Sequence, residues 1–203
     1  MDIQQDVYAL EQELIFLRRD FHQHPELGLR ERRTAQRIEE YLVGLGLEVR
    51  RCTETGVIGI LRGVRPGKTI LLRCDIDALP IQEKTGLPFS SAVPGVMHAC
   101  GHDGHIAIQL TTAKLLARCR EGIQGTVVFL FQPNEEDAGA ELMIRAGALD
   151  DPKPDAVYGF HLWSPIPIGK IGVCAGPLMA SSYYFKLTIH GCGGHGGAPH
   201  DAV

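Results

Sequence analysis

The sequence predicts an α/β fold, a three-layer arrangement in which one sheet carries helices on both faces. Apolar residues recur at three- and four-residue spacing in long segments, the period of an amphipathic helix. Those segments alternate with short, nearly continuous apolar runs that read as interior strands. A third observation concerns chemistry: side chains able to bind metal gather where the expected strands end, the edge at which open α/β sheets carry their sites.

Residues 3–21 place Val7, Leu10, Leu14, Leu17 and Phe21 on one helical stripe, which Pro25 brings to an end. A second helix over 31–45 carries Ala35, Ile38, Leu42 and Leu45 and stops at Gly44 and Gly46. Its opening charges, Arg30-Glu31-Arg32-Arg33, read as a solvated helix start. Strands are expected over 48–52 and 57–61, then a turn at Pro66-Gly67-Lys68 and an interior strand over 69–75. From 76 to 102 Pro, Gly, Ser and polar residues predominate, the texture of a long functional loop. A helix over 104–120 follows, with Ile106, Leu110, Ala113 and Ala117 on one face and Asp103 placed to cap it. An interior strand over 125–131 delivers Gln132-Pro133-Asn134-Glu135-Glu136-Asp137. A short helix over 138–146 and strands over 156–161 and 170–174 complete the alternation. After Gly176 the texture changes: 181–190 alternates like a strand and runs into a glycine-rich loop, the opening of a second domain.

With 44% apolar and 22% charged residues in 203, the chain is neither disordered nor fibrous. A net charge of −4 with scattered basic residues excludes a nucleic-acid partner. No apolar stretch is long enough to cross a bilayer and the N-terminus is polar and acidic, so we expect no membrane partner and a cytoplasmic location. The six cysteines lack CxxC spacing, which argues against a redox protein. Cys52, Cys74, Cys119, Cys174 and Cys192 read as small buried apolar residues, whereas Cys100 lies in a Gly/His loop. His22, His24, His98 and His190 read as hydrogen-bonded structural residues.

The run Met97-His98-Ala99-Cys100-Gly101-His102-Asp103-Gly104-His105 puts a thiol, three imidazoles and a carboxylate into nine residues. Thiolate and neutral imidazole suit zinc, cobalt, nickel or manganese. Downstream, Glu135 and Glu136 follow an apolar strand, where unused charge is costly, and His161 closes the next. Asp75 and Asp77 lie at the end of the preceding strand. Hydrolysing an amide at neutral pH needs an activated water, a Lewis acid and a proton shuttle. Adjacent glutamates can point in different directions, so one can bind a cation while the other takes a proton. Asp103 and His105 stay open between site and scaffold.

These segments, with 18–28, Asp75-Ile76-Asp77-Ala78-Leu79-Pro80 and Gly159-Phe160-His161-Leu162-Trp163, resemble the N-acyl-amino-acid amidohydrolases of the aminoacylase and hippurate-hydrolase type, which are dinuclear metallopeptidases. The resemblance covers the whole chain in five ordered motifs. It implies a zinc-exopeptidase-like catalytic domain that cleaves the amide bond of a small N-acyl amino acid. It further implies Cys100, His102, Glu136 and His161 as ligands of one or two divalent ions (Zn, Mn, Co or Ni), with Glu135 as general base. Asp75 and Asp77 stand where related exopeptidases have a ligand histidine and its supporting aspartate, so they are expected to hold ligands in place rather than bind. His195 matches a lid histidine that reaches a neighbouring subunit's site, which implies substrate binding and a homodimer. On this reading 1–178 is an incomplete catalytic domain and 179–203 the first strand of a truncated α+β lid domain, from a longer product or a shortened frame. The alternative is a non-catalytic remnant that binds metal or a partner without turnover.

Overall fold

A computed structural model describes residues 3–202 apart from 182 and 184. Helices α1 (Ile3–Tyr8), α2 (Glu11–Gln23) and α3 (Arg32–Gly44) precede strands β1 (Glu48–Arg51), β2 (Val57–Arg62) and β3 (Arg65–Asp75). Helix α4 (His102–Arg118), strand β4 (Gln124–Gln132), helix α5 (Ala140–Arg145) and strand β5 (Ala156–Gly159) follow. The five strands form one mixed sheet in the order β1-β2-β4-β3-β5. The pairs β1 with β2 and β2 with β4 are antiparallel; β4 with β3 and β3 with β5 are parallel.

The continuous apolar run of β4 follows from its central place, since both of its faces are covered. Val127, Phe129 and Phe131 pack with Leu17 and Phe21 of α2, Ile38 and Leu42 of α3, and Ile106 and Leu110 of α4. Val128 and Leu130 point the other way, as alternation in a strand requires, and meet Ile58, Ile60, Leu71 and Met143 of α5. In β2 the alternation is broken by Gly59, where a Cβ would lie 2.9 Å from Leu42 Cδ1; α3 packs that closely on the strand. Helices therefore cover both faces, three on one side and the short α5 on the other.

Several elements differ from expectation. The first helix divides at Ala9–Leu10, which leaves Val7 exposed and keeps Leu10, Leu17 and Phe21 buried. The turn at Pro66-Gly67-Lys68 is absorbed into β3 as a register shift between Arg65 and Thr69. Helix α4 begins at His102, so Asp103 lies inside its first turn and caps nothing; the N-cap is Gly101. Of the five cysteines expected to be buried, only Cys74 is; Cys52 and Cys119 are partly covered, and Cys174 and Cys192 are exposed.

Contacts divide the chain into two units, residues 1–162 and 163–203. In the second, the strands expected over 170–174 and 181–190 do not form among the described residues; Ser182 and Tyr184, within the latter range, lie outside the description. Alternation supplies a strand with a face but not with a partner, and a strand without partners is not stable. No described helix is long and apolar enough to cross a membrane.

Glu13 links three helices, accepting from Lys114 Nζ at 2.6 Å and Tyr41 OH at 2.9 Å. Burial pushes this carboxyl up, but the two hydrogen bonds and the Lys114 and Arg118 charges outweigh burial and hold it below 4.5. A carboxyl lowered on folding stabilises above its unfolded pKa, and that stability is lost as pH falls through the folded value. Glu13→Gln should therefore cost about 1 kcal/mol at neutral pH and progressively less as acid protonates the carboxyl in both states, as urea unfolding at neutral and at strongly acidic pH would read. Equal losses at both would assign the effect to packing.

Candidate metal centre

Because β3, β4 and β5 run parallel, their carboxyl ends share one edge, and each hands over to a loop bearing ionisable groups. Asp75 ends β3 and Asp77 follows it. Glu135 and Glu136 occupy a 3-10 turn, Glu135–Asp137, just past β4. His161 lies two residues beyond β5. Cys100 and His102 reach the same edge from the start of α4, where Gly101 adopts the left-handed conformation (φ 86°) that favours glycine.

At this edge Cys100 Sγ lies 3.4 Å from His161 Nε2. His102 Nε2 lies 3.8 Å from Glu135 Oε2 and 3.9 Å from Glu136 Oε1. The ligating atoms of Cys100, His102 and His161, of Asp75, His102 and His105, and of His102, Glu135 and Glu136 each fall within 4.8 Å of one another. His102 Nε2 and Glu136 Oε1 are buried with no hydrogen-bond partner. Two such atoms facing each other are costly unless something bridges them. A divalent cation fits: the set offers a soft sulfur, two imidazole nitrogens and carboxylate oxygens.

Support for the set is built from buried acids. His102 Nδ1 donates to the carbonyl of Asp77 at 2.9 Å, which leaves Nε2 facing Asp75 Oδ1 at 3.6 Å and the two glutamates just beyond. Asp77 Oδ2 accepts from the Glu136 backbone N–H at 3.0 Å. Glu31 Oε1 accepts from the Asn134 N–H at 2.9 Å. Glu31 was expected on a solvated helix start, yet it is fully buried, and burial raises its carboxyl. The turn bearing the glutamates is tight. Asn134 (φ 53°) and Ala138 (φ 59°) flank it in the left-handed region, a cost of roughly 1–2 kcal/mol each. Gly139 N–H closes it on Asn134 O at 2.6 Å, and a Cβ there would sit 2.1 Å from Pro133 O.

Charge states follow from these contacts. Burial pushes the Cys100 thiol up to about 12, assisted by the Glu136 charge. Burial and the Asp75 charge raise Glu135, against the pull of His102 and Arg73. Burial would raise Asp75 too, but the hydrogen bond from His105 and the charges around it hold that carboxyl at about 2.

Of the residues singled out from sequence, Cys100, His102, Glu135, Glu136, His161, Asp75 and Asp77 gather here. His195 belongs to the second unit, where it is exposed and its Nδ1 accepts from the Gly197 N–H at 3.1 Å. Asp103 joins the scaffold: its Oδ2 takes Arg18 Nε at 2.9 Å and His22 Nδ1 at 2.8 Å. His22 is thus the hydrogen-bonded core residue expected of it, whereas His98 is buried with both ring nitrogens unpartnered. Glu31, Gly139 and His105 were missed or left open because local sequence carries no sign of their distant partners.

A family model described as peptidase family M20/M25/M40 matches residues 71–199. Over its whole length the chain is 47% identical to a Geobacillus stearothermophilus protein named N-acyl-L-amino acid amidohydrolase, of which it covers 55%. Over 99% of its length it is 44% identical to thermostable carboxypeptidase 1 of Saccharolobus solfataricus, covering 52% of that protein. Among solved structures it is similar to a dinuclear metal-binding peptidase from Bacillus subtilis, at 46% identity and a TM-score of 0.81, over 84% of this chain and 48% of the other. The chain spans about half the length of the curated relatives it matches.

Proposed function

The chain belongs to peptidase family M20/M25/M40, and from that membership we propose that it forms the metal-holding part of an amidohydrolase acting on N-acyl amino acids. One observation carries the reading: two buried, unpartnered atoms, His102 Nε2 and Glu136 Oε1, face each other 3.9 Å apart beside the Cys100–His161 pair. Cys100, His102, Glu136 and His161 would hold one or two divalent ions drawn from Zn, Mn, Co and Ni. Asp77 orients His102 and the Glu136 backbone, and Asp75 supports from behind. When bound, the cations supply Lewis acidity at the amide carbonyl and make a water acidic. Glu135 takes the proton of that water and returns it to the leaving nitrogen. Its side chain is the more exposed of the pair, open to an arriving water.

The names of two relatives support the substrate class. An N-acyl amino acid and a carboxypeptidase substrate share one chemical feature, an acyl–amide bond next to a free amino-acid carboxylate. Hippurate-like compounds, aroyl amides of an amino acid, belong to that class. We further propose that residues 1–178 are the catalytic portion and 179–203 the start of a lid through which a homodimer forms, with His195 contributing to substrate binding. A thiolate ligand suits the reducing cytoplasm.

The test combines metal analysis of the purified chain with hydrolysis of N-acyl amino acids and of their carboxamides, which lack the free carboxylate. One or two ions per chain and hydrolysis confined to the free acids are expected. Metal without turnover would favour a non-catalytic metal-binding remnant, and neither would sink the reading.

A further inference from the structure

His105 is the one imidazole of the 97–105 run that lies at the site without an assigned part. It stands one turn after His102 in α4, fully buried, and the two rings stack with centroids 5.4 Å apart. Its Nε2 lies 2.9 Å from the Leu162 backbone nitrogen, and its Nδ1 bonds Asp75 Oδ1. A backbone N–H can only donate. Nε2 is therefore the acceptor and carries no proton, and the ring's single proton sits on Nδ1, donated to Asp75. Both nitrogens are committed, so His105 has no lone pair left for a cation, although it belongs to a group of ligating geometry.

The position of Leu162 gives this hydrogen bond its significance. The β3–β5 ladder ends with Arg73 opposite Gly159, two residues short of His161, so sheet pairing does not orient the His161 backbone. The amide directly after His161 is the one that His105 holds. The His161 ring packs edge-on against His105 with centroids 4.6 Å apart, its Nδ1 meets the Leu162 carbonyl at 2.7 Å, and its Nε2 faces Cys100 Sγ. The chain of contacts behind His105 is continuous. Asp75 Oδ2 accepts from Arg73 Nη1 at 2.8 Å, and Arg73 Nε donates to Gln132 Oε1 at 2.9 Å, where β4 ends. Gly104 leaves room beneath: a Cβ there would lie 2.5 Å from Leu162 Cδ1.

We propose that His105 is a positioning residue: locked as the Nδ1–H tautomer by Asp75, it holds the Leu162 amide and thereby sets the His161 ring beside Cys100 at the metal centre. The proposal rests on the assignment of Cys100 and His161 as ligands. Asp75 then acts on the metal through a histidine that does not itself bind.

Two measurements test this on the chain as it stands. Imidazole nitrogen chemical shifts in the ¹⁵N-labelled metal-free protein should report a protonated Nδ1 and an unprotonated Nε2 for His105; a protonated Nε2 overturns the proposal. Cobalt(II) titration, read by the thiolate-to-cobalt charge-transfer absorption, gives affinity without reference to turnover. His105→Phe, which keeps the ring and loses both hydrogen bonds, should weaken cobalt binding roughly 10- to 100-fold. His105→Gln can donate to Asp75 and accept from Leu162 through one side-chain amide, and should restore affinity to within about threefold of wild type. Equal weakening in both variants, or none with Phe, overturns the positioning role. A wild-type protein lacking the charge-transfer band would instead overturn the Cys100 assignment, an outcome distinct from a band that survives His105→Phe unchanged.

Discussion

Glu135→Gln should lower turnover of an N-acyl amino acid by roughly 10²- to 10⁴-fold while leaving metal content unchanged. The two glutamates are adjacent, yet their surroundings divide the work. Glu136 has its backbone N–H fixed by Asp77 and one carboxylate oxygen buried without a partner, the condition of a group awaiting a cation. Glu135 has a side chain 37% exposed, open to an arriving water, with Oε2 3.8 Å from His102. Glutamine preserves its volume and cannot accept the proton. Released amino acid and metal content, measured on one preparation, separate the roles. Glu136→Gln should lose both, and a Glu135→Gln protein that also loses metal would reassign Glu135 as a ligand.

Much of this arrangement is legible in the sequence because it depends on period and order. The apolar run 127–131 declares a strand covered on both faces, and Ala35, Ile38 and Leu42 declare one side of α3. Loops that follow parallel strands must meet at one edge, so strand order alone brings Asp75, the glutamate pair and His161 together. What escaped depends on partners distant in sequence. Nothing around Glu31 announces that it will be buried against the Asn134 amide, 103 residues away. Asp103 looks like a cap because Asp before a helix usually is one; the helix instead starts at His102, and the carboxylate turns inward to His22 and Arg18. Residues 66–68 read as a turn because Pro-Gly is turn chemistry, yet a register shift keeps them within β3. The alternation over 181–190 marks a segment able to pair but names no partner.

His102→Ala should abolish the metal dependence of stability altogether. His102 is the member common to all three groups of ligating side chains, and it is the most deeply buried of the proposed ligands. Its ring is aligned from behind by the Asp77 carbonyl, which aims Nε2 into the centre. A cation that binds only the folded chain stabilises it by about 2.7 kcal/mol at a hundredfold excess over its Kd. Thermal unfolding of the wild type should therefore rise with added zinc or cobalt, and that rise should vanish in His102→Ala. Cys100→Ala is the instructive comparison. Cys100 lies at the more open side of the centre and belongs to one group only, so a weakened rise should persist there. If the two variants respond alike, binding is cooperative across the whole set; if His102→Ala retains the full rise, the cation sits elsewhere and the proposed centre is wrong.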